Sequence, residues 1–294
     1  MKRGATTLVF FAVSAALAAR PAPPAAADGK RAAPPRRVIS LAPSMTEIVF
    51  FLGLGDRLVG VTTQCDYPPE AKKIEKVGGY YMYPSLEKIV ALKPDIILAE
   101  TFTLHPLYQK MKKMGLPLVN FSPETVDDVL SNIEEIGAML GASVEAKKRT
   151  AGLRARVETI EDRCAKRKLR PRVYIELWYD PVMTVGSRSF IADVLRTLQS
   201  ENIFDDIDKG YVKVNNELII ARDPEVIILA YMKAEQNRIE HLLKRPGWDR
   251  IRAVREGRVF ADVNPDLYLR PGPRIAEGLE ALEERIHGSG GGGR

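Results

Sequence analysis

The stretch Pro84-Ser-Leu-Glu-Lys-Ile-Val-Ala-Leu-Lys-Pro-Asp-Ile-Ile-Leu-Ala99 decides the fold, because a second copy follows: Asn215-Asn-Glu-Leu-Ile-Ile-Ala-Arg-Asp-Pro-Glu-Val-Ile-Ile-Leu229. Superposing Glu87 on Glu217 aligns Ile89 with Ile219, Ala91 with Ala221, Pro94 with Pro224 and Ile97 with Ile227, 130 positions apart. Each copy reads as one unit. Ser85 or Asn215 accepts from the free N–H groups that open a helix. The glutamate sits in the first turn, where the helix dipole favours it. The proline, lacking an N–H, ends the helix. The apolar, β-branched run after it reads as a fully buried strand. A helix–strand unit repeated over so long a period predicts two similar lobes, and two lobes make a cleft.

Working outward, the 294 residues suffice for two cores. The formal charge of +6 falls to +3 once Lys2, Arg3 and Arg20 are set aside. With no basic stripe carrying interleaved aromatics, nucleic acid is not an expected partner. Lys2 and Arg3, the apolar run Leu8 to Ala19 and the small residues Ala25-Ala-Ala27 read as a signal peptide over residues 1–27. The run is too short to span a bilayer. No cysteine lies near the cleavage site, so no lipid anchor is expected there. The mature protein is expected to be exported, periplasmic and soluble. Cys65 and Cys164 fit no metal spacing and are read as two separate thiols.

The Pro/Ala-rich residues 28–36 read as a linker. Residues 37–140 form an N-terminal lobe of alternating strands and helices, which implies a mainly parallel sheet covered on both faces. From residue 141 to 169 a joining helix is expected. Ala146, Thr150, Leu153, Val157, Ile160 and Cys164 make one apolar stripe along it, opposite a densely charged face. From Val144 to Lys168 it would run roughly 35–40 Å, enough to cross between lobes. Residues 170–288 form the C-terminal lobe, opening with Arg172-Val-Tyr-Ile-Glu-Leu-Trp178 as the first lobe opens with Arg37-Val-Ile-Ser-Leu41. Residues 289–294 read as a flexible tail.

Signatures of catalysis are poor. Three scattered histidines, His105, His241 and His287, accompany no G-x-S-x-G, P-loop, H-E-x-x-H or dinucleotide fingerprint. Loop residues are more informative, because ligands of such lobes bind beyond the carboxyl ends of the strands. There the chain collects Asp66, Tyr67, Tyr80, Tyr81, Trp178, Tyr179, Tyr231, Tyr268 and Arg270. Amphipathic aromatics of this kind suit a wide, flat, partly polar ligand; each also has an ordinary use in packing a loop. Glu87 and Glu217 are favourable first-turn residues worth about 0.3–1 kcal/mol each. Their symmetry also suits them to dock a two-fold partner through arginines.

At these residues the chain resembles the periplasmic substrate-binding proteins of ABC importers for cobalamin, ferric siderophores and haem. The matching segments are Arg37-Val-Ile-Ser-Leu-Ala-Pro-Ser-Met-Thr-Glu47, Cys65-Asp-Tyr-Pro-Pro-Glu70, Ser85 to Asp95, Glu176-Leu-Trp-Tyr-Asp-Pro-Val-Met-Thr-Val-Gly186 and Glu201-Asn-Ile-Phe204. Their order and wording are most similar to the cobalamin-binding branch. The resemblance implies an α/β fold of two similar lobes with mainly parallel sheets, joined by one long helix, with the ligand held between the lobes. It implies that Glu87 and Glu217 contact arginines of an inner-membrane permease dimer served by its ATPase. It places Asp66 and Tyr67 at one ligand-facing loop and Asp266, Tyr268 and Arg270 at another, with Asp266 and Arg270 as polar contacts.

Two departures accompany the match. Gly78-Gly-Tyr-Tyr-Met-Tyr83 is one residue longer than the branch pattern, and Gln199-Ser200 replaces a Gly-Gly pair. Haem-binding relatives use a tyrosine or histidine as iron ligand near this first loop, a role open to Tyr80. The expected function is capture of a metal chelate, a corrinoid first, a ferric siderophore or haem second, by a monomer without a catalytic cycle, resident metal or cofactor. An exported enzyme acting on a tetrapyrrole and a receptor-touching sensor are the readings from other classes.

Overall fold

The computed structural model describes residues 33–79, 84–101, 106–231 and 238–288. The first lobe contains β1 (Val38–Ser40), α1 (Pro43–Phe51), β2 (Leu58–Val61), α2 (Leu86–Ala91), β3 (Ile96–Glu100), α3 (Pro106–Lys113), β4 (Leu118–Phe121) and α4 (Val126–Met139). Helix α5 (Ser143–Ala165) follows. The second lobe contains β5 (Arg172–Glu176), β6 (Trp178–Tyr179), β7 (Val182–Val185), α6 (Phe190–Thr197), β8 (Glu201–Asn202), β9 (Tyr211–Lys213), α7 (Asn216–Arg222), β10 (Val226–Leu229), α8 (Arg238–Leu243), α9 (Arg252–Arg255), β11 (Val259–Phe260) and α10 (Ile275–His287).

The two copies of the repeat fold alike. Ser85 Oγ accepts from the Lys88 N–H at 3.3 Å, and Asn215 Oδ1 accepts from the Leu218 N–H at 2.9 Å. Helices α2 and α7 both stop before the proline, and the residue preceding it, Lys93 or Asp223, takes a left-handed φ of 44° or 39°. The acid after the proline then ties the new strand to its neighbour. Asp95 Oδ2 accepts from the N–H groups of Arg36 and Arg37 at 2.8 and 2.9 Å. Glu225 Oε2 accepts from the Arg172 N–H at 3.0 Å. Strand β3 therefore pairs in parallel with β1 as β10 does with β5.

The sheets have the same order, β2-β1-β3-β4 and β8-β5-β10-β11, parallel throughout. A third sheet, β6-β7-β9, is antiparallel and belongs to the second lobe alone. It is an addition to the parallel architecture expected from the sequence. Its strands are short and half-polar, so periodicity alone does not reveal them.

Helix α5 is 23 residues long and buries Ala146, Thr150, Leu153, Val157, Ile160 and Cys164, the stripe read from the sequence. It packs against α4 of the first lobe and α10 of the second. One apolar cluster consequently runs from Val38 and Leu98 through Val157 and Ile160 to Val173, Ile228 and Leu282. At about 1.5–3 kcal/mol for each fully buried large side chain, this shared core makes both lobes depend on α5. Further ties join the halves: the Val126 N–H donates to Asp193 at 2.8 Å, and Arg163 and Arg167 of the α5 end pair with Glu283 of α10. Among the described residues, no helix is long and apolar enough to cross a membrane.

Candidate functional site

The carboxyl ends of both parallel sheets open into one cavity of about 630 Å³. The first lobe contributes Pro43 and Ser44 at the start of α1, Gln64, then Glu100 and Thr101 at the end of β3, and Ser122 to Glu124 after β4. The second contributes Leu177 after β5, Arg188 to Ile191 at the start of α6, Gly210 and Tyr211, Ala230 after β10, and Leu269 to Pro271. This is where an open α/β sheet places its ligand, because loops change direction there and strand-end side chains have no neighbour along the strand. The volume lies within the roughly 300–1,000 Å³ of small-molecule sites.

The placement of Tyr211 rests on a close backbone contact. Gly186, Ser187 and Arg188 donate their N–H groups to the carbonyls of Gly210, Ile207 and Lys209 at 3.0, 3.0 and 3.2 Å. A Cβ on Gly186 would lie 2.4 Å from the Lys209 carbonyl oxygen, so only glycine permits this approach. Strand β9 then pairs Tyr211 with Val185. The ring remains 62% exposed at the cavity wall. Its phenol pKa is raised, first by displacement of water within the concave cleft and then by the charge of Glu100 from the other lobe.

A buried charge network closes one side. Arg270, 8% exposed, donates from Nη1 to Asp66 at 2.8 Å and to Glu47 at 3.3 Å, and pairs through Nη2 with Asp266 at 2.9 Å. Arg274 holds Glu47 with two bonds of 2.7 and 2.6 Å and lies over the Tyr67 ring, 3.9 Å from its centroid. Burial raises the Asp266 pKa against the opposing pull of Arg270. Since Glu47 belongs to α1 and both arginines to the approach to α10, the network also bridges the lobes.

A second network lies beneath the floor of the other lobe. Glu176, fully buried, accepts two bonds from Arg245 at 2.7 and 2.8 Å and further bonds from the hydroxyls of Tyr174 and Tyr231. Burial, followed by the Glu176 charge, raises the pKa of both tyrosines.

The residues singled out from sequence are thus distributed unevenly. Arg270 lines the cavity, with Asp66, Tyr67 and Asp266 gathered behind it through the charge network. Trp178 and Tyr179 stack on each other, centroids 5.2 Å apart, and remain 38% and 41% exposed. Two of the singled-out tyrosines are buried. Tyr231 is 3% exposed with its hydroxyl turned to Glu176, and Tyr268 is fully buried in the core. Both rings face inward because apolar packing fills the space beneath their loops, so neither offers a surface to a ligand in this conformation. Tyr80 and Tyr81 lie outside the described residues. Glu87 and Glu217 are exposed on α2 and α7.

Sequence reasoning missed Ser44, Gln64, Glu100, Arg188 and Tyr211. Glu100 had a signal, as an acid directly ending the apolar strand of the repeat; Tyr211 stands beside Gly210 on a strand too short to announce itself. Cys65 and Cys164 are separate buried thiols, and burial pushes Cys164 up to about 11. Among the described residues, no group of three or more His, Cys, Asp and Glu side chains is placed to hold a metal. The arrangement is equipped to enclose a ligand by apolar, aromatic and hydrogen-bonding contact.

Comparison with known proteins agrees with this geometry. The family model described as "Periplasmic binding protein" matches residues 38–264. An uncharacterized ABC transporter substrate-binding lipoprotein, YvrC of Bacillus subtilis, is 34% identical over 86% of this chain and 80% of its own. The crystal structure of the periplasmic vitamin B12 binding protein BtuF of Vibrio cholerae has a TM-score of 0.77 at 29% identity, covering 86% of this chain and 97% of that one. A Staphylococcus epidermidis protein, described as a possible iron-binding (periplasmic solute-binding) protein, has a TM-score of 0.74 at 34% identity, covering 86% and 99%. Two lobes of equal topology, a cavity at their facing sheet ends and these matches over nearly the whole described chain lead to one assignment: the chain belongs to the periplasmic binding protein family, as a substrate-binding protein of an ABC importer.

Proposed function

We propose that this protein captures a corrinoid, cobalamin first, between its lobes and delivers it to an inner-membrane permease dimer driven by its ATPase. The observation that carries the reading is the make-up of the cavity. Leu177, Phe190, Ile191, Leu269 and the open ring of Tyr211 give it an apolar and aromatic wall, and its buried arginine is already matched by carboxylates. Such a site suits a wide, neutral chelate with polar edges better than a polyanion. Similarity to the vitamin B12 binding protein supports the same ligand. Asp66, Tyr67, Asp266 and Arg270 contribute polar and aromatic contacts at one rim, and Trp178 and Tyr179 at the other.

The chain acts as an exported monomer, its leader cleaved near Ala27. Lobes 37–140 and 170–288 are joined through 141–169, and the shared core limits hinge motion. Glu87 and Glu217, one on each lobe, dock onto arginines of the two permease subunits. No turnover of the chelate occurs. A ferric siderophore or haem is the second reading, favoured by the similarity to the Staphylococcus epidermidis protein and by Tyr80 as an oxygen ligand for iron.

The test is titration of mature protein with cyanocobalamin, haem and a ferric siderophore, by calorimetry with parallel absorption spectra. One-to-one cobalamin binding is expected. A tyrosinate-ligated haem spectrum instead would replace cobalamin with haem. The double variant Glu87→Ala/Glu217→Ala is expected to keep ligand affinity and lose uptake; intact uptake would remove the docking role.

A further inference from the structure

Within the corrinoid reading, on which this inference rests, we propose that Arg188 is the cation of the cleft that binds an anionic group on the ligand's edge. In cobalamin that group is the phosphodiester, on a rim that otherwise carries amides.

The first observation is a difference between two arginines that line the cavity, Arg188 and Arg270. Arg270 is 8% exposed, and its guanidinium pairs with Asp66 at 2.8 Å, Asp266 at 2.9 Å and Glu47 at 3.3 Å. Turning it towards a ligand would leave the buried Glu47 short of a partner, which is costly. Arg188 pairs with Asp208 at 3.8 Å, beyond hydrogen-bond length, and the two side chains are 62% and 82% exposed. An open pair of that kind contributes little to the fold and exchanges readily for a closer partner. An anion entering the cleft is therefore met by Arg188 and not by Arg270.

The second observation is that the backbone beneath Arg188 is held. Its N–H donates to the Lys209 carbonyl at 3.2 Å, the carbonyl that also lies too close to Gly186 for any Cβ. On its other side Ser189, 4% exposed, opens α6 by accepting from the Ala192 N–H at 3.0 Å. A long side chain on a fixed turn keeps its reach while its base stays in place. Its planar fork of N–H donors matches two oxygens of a phosphate.

Third, Phe190, Ile191 and Tyr211 line the same cavity on the same lobe. One wall thus offers apolar and aromatic surface for the ring and a cation for the charged edge. Apolar surroundings reduce the screening of an ion pair formed there. An anion seated on this lobe also fixes which way round an otherwise amide-edged chelate lies.

The experiment compares dicyanocobinamide with dicyanocobinamide phosphate, so that ring and axial ligands are constant and only the phosphate changes. Affinities for mature protein are read by calorimetry at low ionic strength. Wild type is expected to favour the phosphate form by about tenfold. Arg188→Gln should lose that preference, and Arg188→Lys, which keeps the charge without the fork, should keep part of it. Added salt should narrow the wild-type preference and leave the Arg188→Gln ratio where it is. Thermal unfolding confirms that both variants fold. Binding of both corrinoids with no preference in wild type, or with the same preference in Arg188→Gln, overturns the inference and leaves the corrinoid reading intact. Absence of any corrinoid binding by wild type overturns that reading and this inference with it.

Discussion

The two lobes share a scaffold and differ at their mouths. Each has a capped helix, a left-handed residue, a proline and an acid that ties the new strand to its neighbour. Each then points that strand at the cleft. Beyond this the copies diverge. Strand β3 ends in Glu100, oriented by Ser44, beside a charge network that involves Glu47 and reaches across to Arg270 and Arg274. Strand β10 continues into Ala230 and a buried Tyr231, held over Glu176 and Arg245, while the extra antiparallel sheet brings forward Tyr211. Duplicated secondary structure reproduces the frame; the ends of strands, which carry no structural duty along the sheet, are where the lobes specialise. A cleft with an acidic, hydrogen-bonding wall and an aromatic wall suits a ligand with two different faces.

The largest expected effects break the two buried networks separately. Glu176→Gln leaves the Arg245 charge uncompensated, and Glu47→Gln does the same to Arg274; each should lower stability by about 3–5 kcal/mol, measured by denaturant unfolding. The comparison sharpens in the ligand titration. Glu176→Gln, beneath the floor, should leave affinity unchanged, whereas Glu47→Gln releases the brace on cavity-lining Arg270 and should weaken binding. Equal effects on affinity would mean that the floor network also shapes the cavity.

A smaller effect tests the aromatic wall. Gly186→Ala forces the backbone away from Lys209, with an expected loss of roughly 1–3 kcal/mol. Displacing Tyr211 should also weaken ligand binding by up to about tenfold, the value of a lost stacking contact. Normal affinity in that variant would show that Tyr211 is not needed in its present place.

The smallest effect concerns the shared scaffold. Asp95 accepts N–H groups from Arg36 and Arg37, and these hold its carboxyl below the ordinary value of 3.8. A depressed folded-state pKa contributes stability above the ordinary value and loses it as pH falls through the depressed one. Asp95→Asn should therefore be less stable than wild type at neutral pH, with the difference closing in acid below pH 3.8. A difference that persists unchanged at low pH would mean that the carboxylate's charge is irrelevant to the tie.

The sequence by itself determined the repeat, the parallel lobes and the buried stripe of α5. Those features rest on local periodicity, caps and prolines, which act between residues a few positions apart. Family wording also drew attention to Arg270, which lines the cavity, and to Asp66, Tyr67 and Asp266 beside it. Only the tertiary structure decided which loop residues face the cavity. Tyr231 and Tyr268 look like Tyr67 in sequence, yet they are buried, because orientation depends on what packs beneath a loop. Glu100 meets Ser44 across 56 residues, and Arg274 meets Glu47 across 227. Such pairings arise from sheet order and from the return of α10 onto α5, and no local pattern encodes them.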